Sequence, residues 1–387
     1  MRARAGAATL RRRAAGACAL VAVLAICGCE GKGAVLPSPT AAIDAALASG
    51  GRYLASRQRS DGAIPSTTYA ALDDGWSLTP LAALALRMVP EPQLDESYRR
   101  AVDYIATIAA PGGALREAPE VGYPLYAYAI GALVLGAPDN RRHAAVHARL
   151  LEALRALQLG DRNGWRPGDA SYGGWGYAPR PVPRPDDAMA AEAYGANLSA
   201  TLLAIGALVL GGTRPDDPAL VAARGFVERC RNTGDGGFFF SPAVPDGNKA
   251  GATADGRYRS YGSMSADGMR ALFRLGAPAA AAAAYVTRNF DATRNPGDFP
   301  PIAEVRRASS YYYWAWSAAH VIRHVSALPP AVALAGELLR RQRPDGSWSN
   351  PSSEMRENDP IIATSFAVAA LALARSVISR EPRSHAY

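Results

Sequence analysis

Of 387 residues only four are cysteine, and Cys18, Cys27 and Cys29 fall at the N-terminus, leaving Cys230 alone in the body of the chain. That excludes a disulfide framework, so stability has to come from packing. Histidine is nearly as scarce. His143 and His147, and His320 and His324, stand four apart, the spacing that puts two imidazoles on one helix face for zinc. Between them lie Ala-Ala-Val and Val-Ile-Arg, without the glutamate of a metalloprotease helix, so neither a metal nor a cofactor is expected. The net charge of +8 is mostly a property of residues 1–28, which carry five arginines and no acid; without them it is +3. No basic footprint for nucleic acid remains. A phosphate-cradling loop is missing too, because "GDGGFFF" lacks the Lys-Ser/Thr ending. Strand patterns are almost absent.

The N-terminus is an export signal by composition. Arg2, Arg4 and Arg11 to Arg13 precede "AAGACALVAVLAI", an apolar run too short to span a bilayer comfortably. The "ICG" before Cys29 resembles the lipobox of bacterial lipoproteins, in which the cysteine becomes the lipidated first residue; an ordinary secretory signal or a short membrane anchor is the alternative. Residues 1–28 are then the signal peptide, 29–42 a tether, and 43–380 one domain.

That domain repeats. "GGRYLASRQRSDGAI", "AVDYIATIAAPGGAL", "LEALRALQLGDRNGW", "ARGFVERCRNTGDGGF", "AAYVTRNFDATRNPGDF" and "AGELLRRQRPDGSW" each carry helical apolar spacing into a Gly-containing turn. Six stretches between them, such as "YPLYAYAIGALVLG" and "NLSATLLAIGALVLG", are apolar nearly all round and should be buried. Six amphipathic helices alternating with six buried ones predict an all-α (α/α)6 toroid, an inner ring within an outer one.

The endings "RQRSDGAI", "QLGDRNGW" and "RQRPDGSW" resemble the Gln-Trp repeat of squalene and hopene cyclases. "YGGWGYAP" followed by "NLSATLLAIGAL" resembles the prenyltransferase/squalene oxidase repeat proteins, the terpenoid cyclase-like toroids. The resemblance spans roughly residues 43 to 375 and implies the toroid more than any chemistry. Gln58, Gln158 and Gln342 are expected to satisfy open backbone groups at helix ends, with Trp165 and Trp348 packing after the turn. The family's catalytic motifs are not present. The pairs Asp73-Asp74, Asp186-Asp187 and Asp216-Asp217 have Ala71, Arg184 and Arg214 where a class II cyclase has a third Asp. Nor do they continue as Asp-Asp-x-x-Asp, and Cys230 has no nearby His for a prenyltransferase zinc site.

What remains is aromatic. "SSYYYWAWSAAH" supplies Tyr311, Tyr312, Tyr313, Trp314 and Trp316 to an inner helix. Tyr311 and Trp314 are expected at a central cavity with Trp76, Tyr123, Tyr126, Trp175, Tyr177 and Tyr261, a wall suited to an isoprenoid-like chain or to sugars. Arg259 and the carboxylates Asp73, Asp74, Asp187 and Asp267 could line the same mouth, and a pair of these facing one another would be needed for acid–base work. The polar loop 241–261 suits a rim or lid. The chain therefore reads as a lipid-anchored envelope protein facing the periplasm or exterior. Its toroid would bind a hydrophobic molecule, a glycan or an envelope protein without turnover; the alternative is a terpene cyclase-like or carbohydrate-cleaving enzyme with a carboxylate pair in the cavity.

Overall fold

The computed structural model describes residues 40–117, 119–187 and 193–380; the signal segment and Cys29 lie outside the described residues. Among the latter there are thirteen α-helices and no strand, only isolated β-bridges such as Ala109–Leu115. The helices form six hairpins: α1 (Ala41–Ser56) with α2 (Thr79–Arg87), α3 (Asp95–Ala106) with α4 (Pro124–Leu135), and α5 (Ala144–Leu157) with α6 (Leu198–Leu210). The others are α7 (Pro218–Arg229) with α8 (Gly262–Arg274), α9 (Ala280–Arg288) with α11 (Tyr311–Val325) after the short α10 (Glu304–Ser309), and α12 (Leu328–Arg341) with α13 (Pro360–Ile378). The boundary expected at 43 falls inside α1.

The second members pack side by side in the order α2, α4, α6, α8, α11, α13, and α13 returns to α2, closing the ring. Composition decides which helix goes inside. Eleven of the twelve residues of α4 are buried, against four of twelve in α3, whose first turn carries Asp95 and Glu96. Each fully buried Leu or Ile is worth roughly 1.5–3 kcal/mol, so an all-round apolar helix has no stable place on the outside. The apolar 19-residue α13 could cross a membrane by length alone, but it is mostly buried within this ring.

The repeated Gln-Asp-Gly turns hold the outer helices in register. The Gln158 side-chain amide donates to Gly173 O in its own turn and to Ala219 O at the start of α7, both at 2.8 Å. Gln58 does the same to Gly62 O and to Ser97 O of α3, at 3.0 and 2.9 Å. Gln342 donates to Gly346 O and, across the seam, to Ala46 O of α1, at 3.0 and 2.9 Å. The first and last repeats thus end alike because the last turn clasps the first helix as the Gln58 turn clasps α3 and the Gln158 turn clasps α7. The accepting glycines have φ of +99°, +83° and +86°, and a Cβ on Gly173 would stand 2.1 Å from Ala222 O. Only glycine fits both the turn and the close approach.

One expected position is corrected. Trp348 donates its backbone N–H to Thr364 Oγ1 (3.0 Å) and its indole N–H to Leu338 O (2.8 Å), joining α13 to α12. In the third hairpin this part is played by Trp175, to Thr201 Oγ1 (3.1 Å) and Leu154 O (2.6 Å), and not by Trp165. The third turn is longer, and Trp165 closes it on itself by donating to Val182 O.

Candidate functional site

The N-terminal ends of the inner helices, with the loops leading into them, surround a central cavity of about 510 Å³. Its apolar floor comes from Leu81 of α2, Ile130 of α4, Leu203 of α6, Trp316 of α11 and Phe366 of α13. Trp316 and Phe366 stack with centroids 5.2 Å apart. Tyr123, Tyr126, Tyr177, Phe240 and Tyr313 form the aromatic wall above, and the exposed Tyr177 and Met355 mark the mouth.

Three of the aromatic residues expected here are present: Tyr123, Tyr126 and Tyr177. The others lie elsewhere. Trp76 stacks on Tyr104 (5.8 Å) and donates to Thr107 Oγ1 on the outer side. Trp175 is the hairpin staple, and Tyr261 is wholly buried against Phe299. Tyr311 donates to Ala292 O and lies under the Arg341 guanidinium, while Trp314 donates to Asp291 O; both face the outer ring. On α11 the inward stripe is Tyr313, Trp316 and His320, spaced by three and four, so Tyr311 and Trp314 must point away. Arg259 pairs with Asp298 (3.0 Å) outside the cavity.

The expected carboxylates are not brought together. Asp73 is exposed and paired with Arg59. Asp74, raised by burial, accepts the backbone N–H of Gly122 (2.9 Å) and of Ser77 (3.4 Å), tying the approach to α4 onto that to α2. Asp187 is exposed on the loop after α5. None of the three lines the cavity.

Asp267 lies just beneath the floor, fully buried. Tyr313 and Ser317 donate their hydroxyls to it at 2.6 Å each, Ser199 adds a third contact at 3.4 Å, and Arg270 stands 3.5 Å away. Burial pushes this carboxyl above its usual range, opposed by the Arg270 guanidinium and the hydroxyls. With its lone pairs taken, Asp267 anchors α8 to α6 and α11 and is poorly placed to reach a ligand. Deeper still, Arg270, Arg274 and His320 line a void of about 30 Å³. Burial and the two guanidiniums hold His320 neutral, far below its ordinary pKa.

The charged residues that do reach the cavity come from loops and were missed. Glu357, in the α12–α13 connection, is 1% exposed. It accepts the backbone N–H groups of Tyr312 (2.9 Å) and Tyr313 (2.8 Å) at the start of α11. Burial lifts it to about 7, against those bonds and the pull of Lys249. Lys249 extends from the 241–261 loop, which does form part of the rim, and burial lowers its ammonium to about 8. Asn248 sets that loop by accepting from Phe240 N (2.9 Å) and donating to Ser241 O (2.9 Å). Arg356 and Glu354 complete the charged lining, Glu354 paired with Arg306 at 3.3 Å. The one signal for these residues was the polar, turn-rich composition of the loops carrying them.

Among the described residues no group of three or more His, Cys, Asp or Glu side chains could hold a metal ion. His143 meets Asp103 at 2.9 Å, and His320 packs on Trp316.

No family model and no curated protein matches the chain. Solved structures do. The type II terpene cyclase MstE from Scytonema is 14% identical with a TM-score of 0.52, covering 88% of this chain and 99% of its own. An unsaturated glucuronyl hydrolase specific for heparin is 13% identical with a TM-score of 0.56, covering 88% and 98%. The unsaturated glucuronyl hydrolase of Bacillus sp. GL1 is 15% identical with a TM-score of 0.53, covering 85% and 95%. These structures belong to enzymes of different chemistry, and at such identity they speak for the fold alone. The chain folds as an all-α toroid, the architecture it shares with these structures.

Proposed function

We propose that the toroid is a binding module for a hydrophobic small molecule, taken up in its central cavity and carried at the cell envelope on a lipid at Cys29. The observation that supports this reading most is the cavity itself: about 510 Å³, floored by Trp316, Phe366 and aliphatic side chains, and walled by tyrosines. Such volume and lining suit a drug-sized apolar ligand, with a few polar groups to orient it. The expected cyclase and glycosidase carboxylates lie outside the cavity or are saturated. Filling the floor with Leu203→Trp is expected to abolish one-to-one uptake of a neutral hydrophobic dye while the parent saturates; equal uptake by both would remove the cavity from consideration. Cys29→Ser is expected to release the chain from the membrane fraction.

A second reading, turnover, is favoured by one observation. Among the described residues Glu357 is the one buried carboxyl in the cavity lining, and burial lifts it to about 7, which would keep a proton available to a ligand near neutral pH. In that case Glu357→Gln would abolish conversion of a bound ligand without weakening its binding.

A further inference from the structure

The charged groups around the cavity are unevenly provided for. Each carboxylate there already has its donors: Glu357 has the N–H groups of Tyr312 and Tyr313 and the Asn350 amide at 3.2 Å, and Glu354 has Arg306. The two cations have no acceptor. Among the described residues neither Lys249 nor Arg356 has a carboxylate within ion-pair reach or a side-chain hydrogen bond. Instead the Lys249 ammonium sits 5.0 Å from the Phe240 ring centroid. The Arg356 guanidinium lies over both Tyr69 and Tyr123, each at 5.0 Å, and its Nη1 is buried without a partner. A desolvated cationic donor without an acceptor costs several times what a net hydrogen bond returns, so the missing groups are acceptor oxygens bearing negative charge.

The backbone supports this. Arg356 is one of three non-glycine residues with positive φ among those described, at +58°. It closes the turn 353–356, donating its N–H to Ser353 O at 3.0 Å. Glycine would hold that turn without strain, and the arginine accepts it while placing its side chain on the cavity wall. Lys249 lines the same cavity from the 241–261 loop, next to the buried Asn248, which accepts from Phe240 N and Ser241 N.

We propose that the ligand of this cavity is an anionic amphiphile, its carboxylate or phosphate oxygens held by Lys249 and Arg356 and its apolar part lying on Trp316 and Phe366. This rests on the cavity-binding reading above and narrows it to a ligand class. Titration acts in the same direction. Lys249 faces Asp267, Glu357, Glu354 and Arg306, and it loses its positive charge as pH rises through about 8. Glu357 gains its negative charge as pH rises through about 7. The cavity therefore becomes less hospitable to an anion from pH 6 to pH 9.

The test is calorimetric titration of the full chain with octanoate, octyl phosphate and octanol, each below its micelle concentration. Binding of an anion roughly tenfold or more tighter than octanol is expected, in keeping with charge-assisted hydrogen bonds. The stronger of the two anions identifies the headgroup. Most of that advantage should vanish in Lys249→Met and in Arg356→Met, and it should shrink from pH 6 to pH 9. Lys249→Met removes no backbone constraint, so it stands as the test should Arg356→Met fold poorly. Octanol binding as tightly as both anions, or an anion preference that survives Lys249→Met, would overturn the inference and leave the cavity reading intact. Failure of all three to bind would overturn the cavity reading itself.

Discussion

Replacing Gln158 by alanine isolates the device that holds the ring together. Gln158 is 7% exposed, and its amide makes two bonds of 2.8 Å, to Gly173 O and Ala219 O. Each bond is worth about 1 kcal/mol net, and two carbonyls left without donors raise the loss to about 2–3 kcal/mol. Glutamate has nearly the same shape but, when ionised, only accepts, so it would face two carbonyl oxygens with like partial charge. Gln158→Glu should thus lose at least as much as Gln158→Ala at neutral pH. Urea unfolding followed by far-ultraviolet circular dichroism measures both, with the exposed Arg340→Ala as a control expected within about 0.5 kcal/mol of the parent. If both Gln158 variants also fall within about 0.5 kcal/mol, the turn-to-helix clasp does not hold the ring, and the account of the repeated motif is wrong.

Three further outcomes follow from the site. Glu357 is raised from 4.5 to about 7, so the folded state binds its proton more tightly than the unfolded chain. Its contribution is full below pH 4.5 and is lost as pH rises through about 7, on the order of 3 kcal/mol. Denaturant midpoints at pH 5 and pH 8 should therefore differ, and the difference should shrink in Glu357→Gln. Asp267→Ala strands Arg270, which is 5% exposed, without its counter-charge and should cost about 3–5 kcal/mol; a loss under about 1 kcal/mol would mean the pair is dispensable. Asp74→Asn and Asp187→Asn, outside the cavity, should leave ligand affinity within about twofold, read by the same calorimetry; a tenfold loss, about 1.4 kcal/mol, would return those carboxylates to the site.

The ring was legible because burial writes itself into a helix over many residues. α4 and α6 are apolar on every face, and α3 is not. The first and last turns were legible because Gln58-Asp61-Gly62 and Gln342-Asp345-Gly346 share their offsets, where a backbone needs the same donor and the same left-handed residue. The site was much less so. Tyr311 and Tyr313 are two residues apart on α11 and face opposite ways, which only the ring's orientation decides. Trp165 and Trp175 both follow Gln158, and the longer third turn shifts the stapling part to the second. Glu357 meets Tyr312 and Tyr313 from 45 and 44 residues away in sequence, through a loop with no periodicity to read. Lys249 depends likewise on how Asn248 folds its loop. The polar groups of the cavity sit where tertiary packing places loops, and no local pattern announces them.

A toroid that carries a small molecule, as proposed, should be isolated with that molecule bound. Native and denaturing mass spectra of the full chain, purified from its own host's membranes, test this most directly. The expected native mass exceeds that of the denatured chain by a discrete amount, an excess that octanoate displaces and that Leu203→Trp lacks. A native mass equal to that of the denatured chain would contradict it.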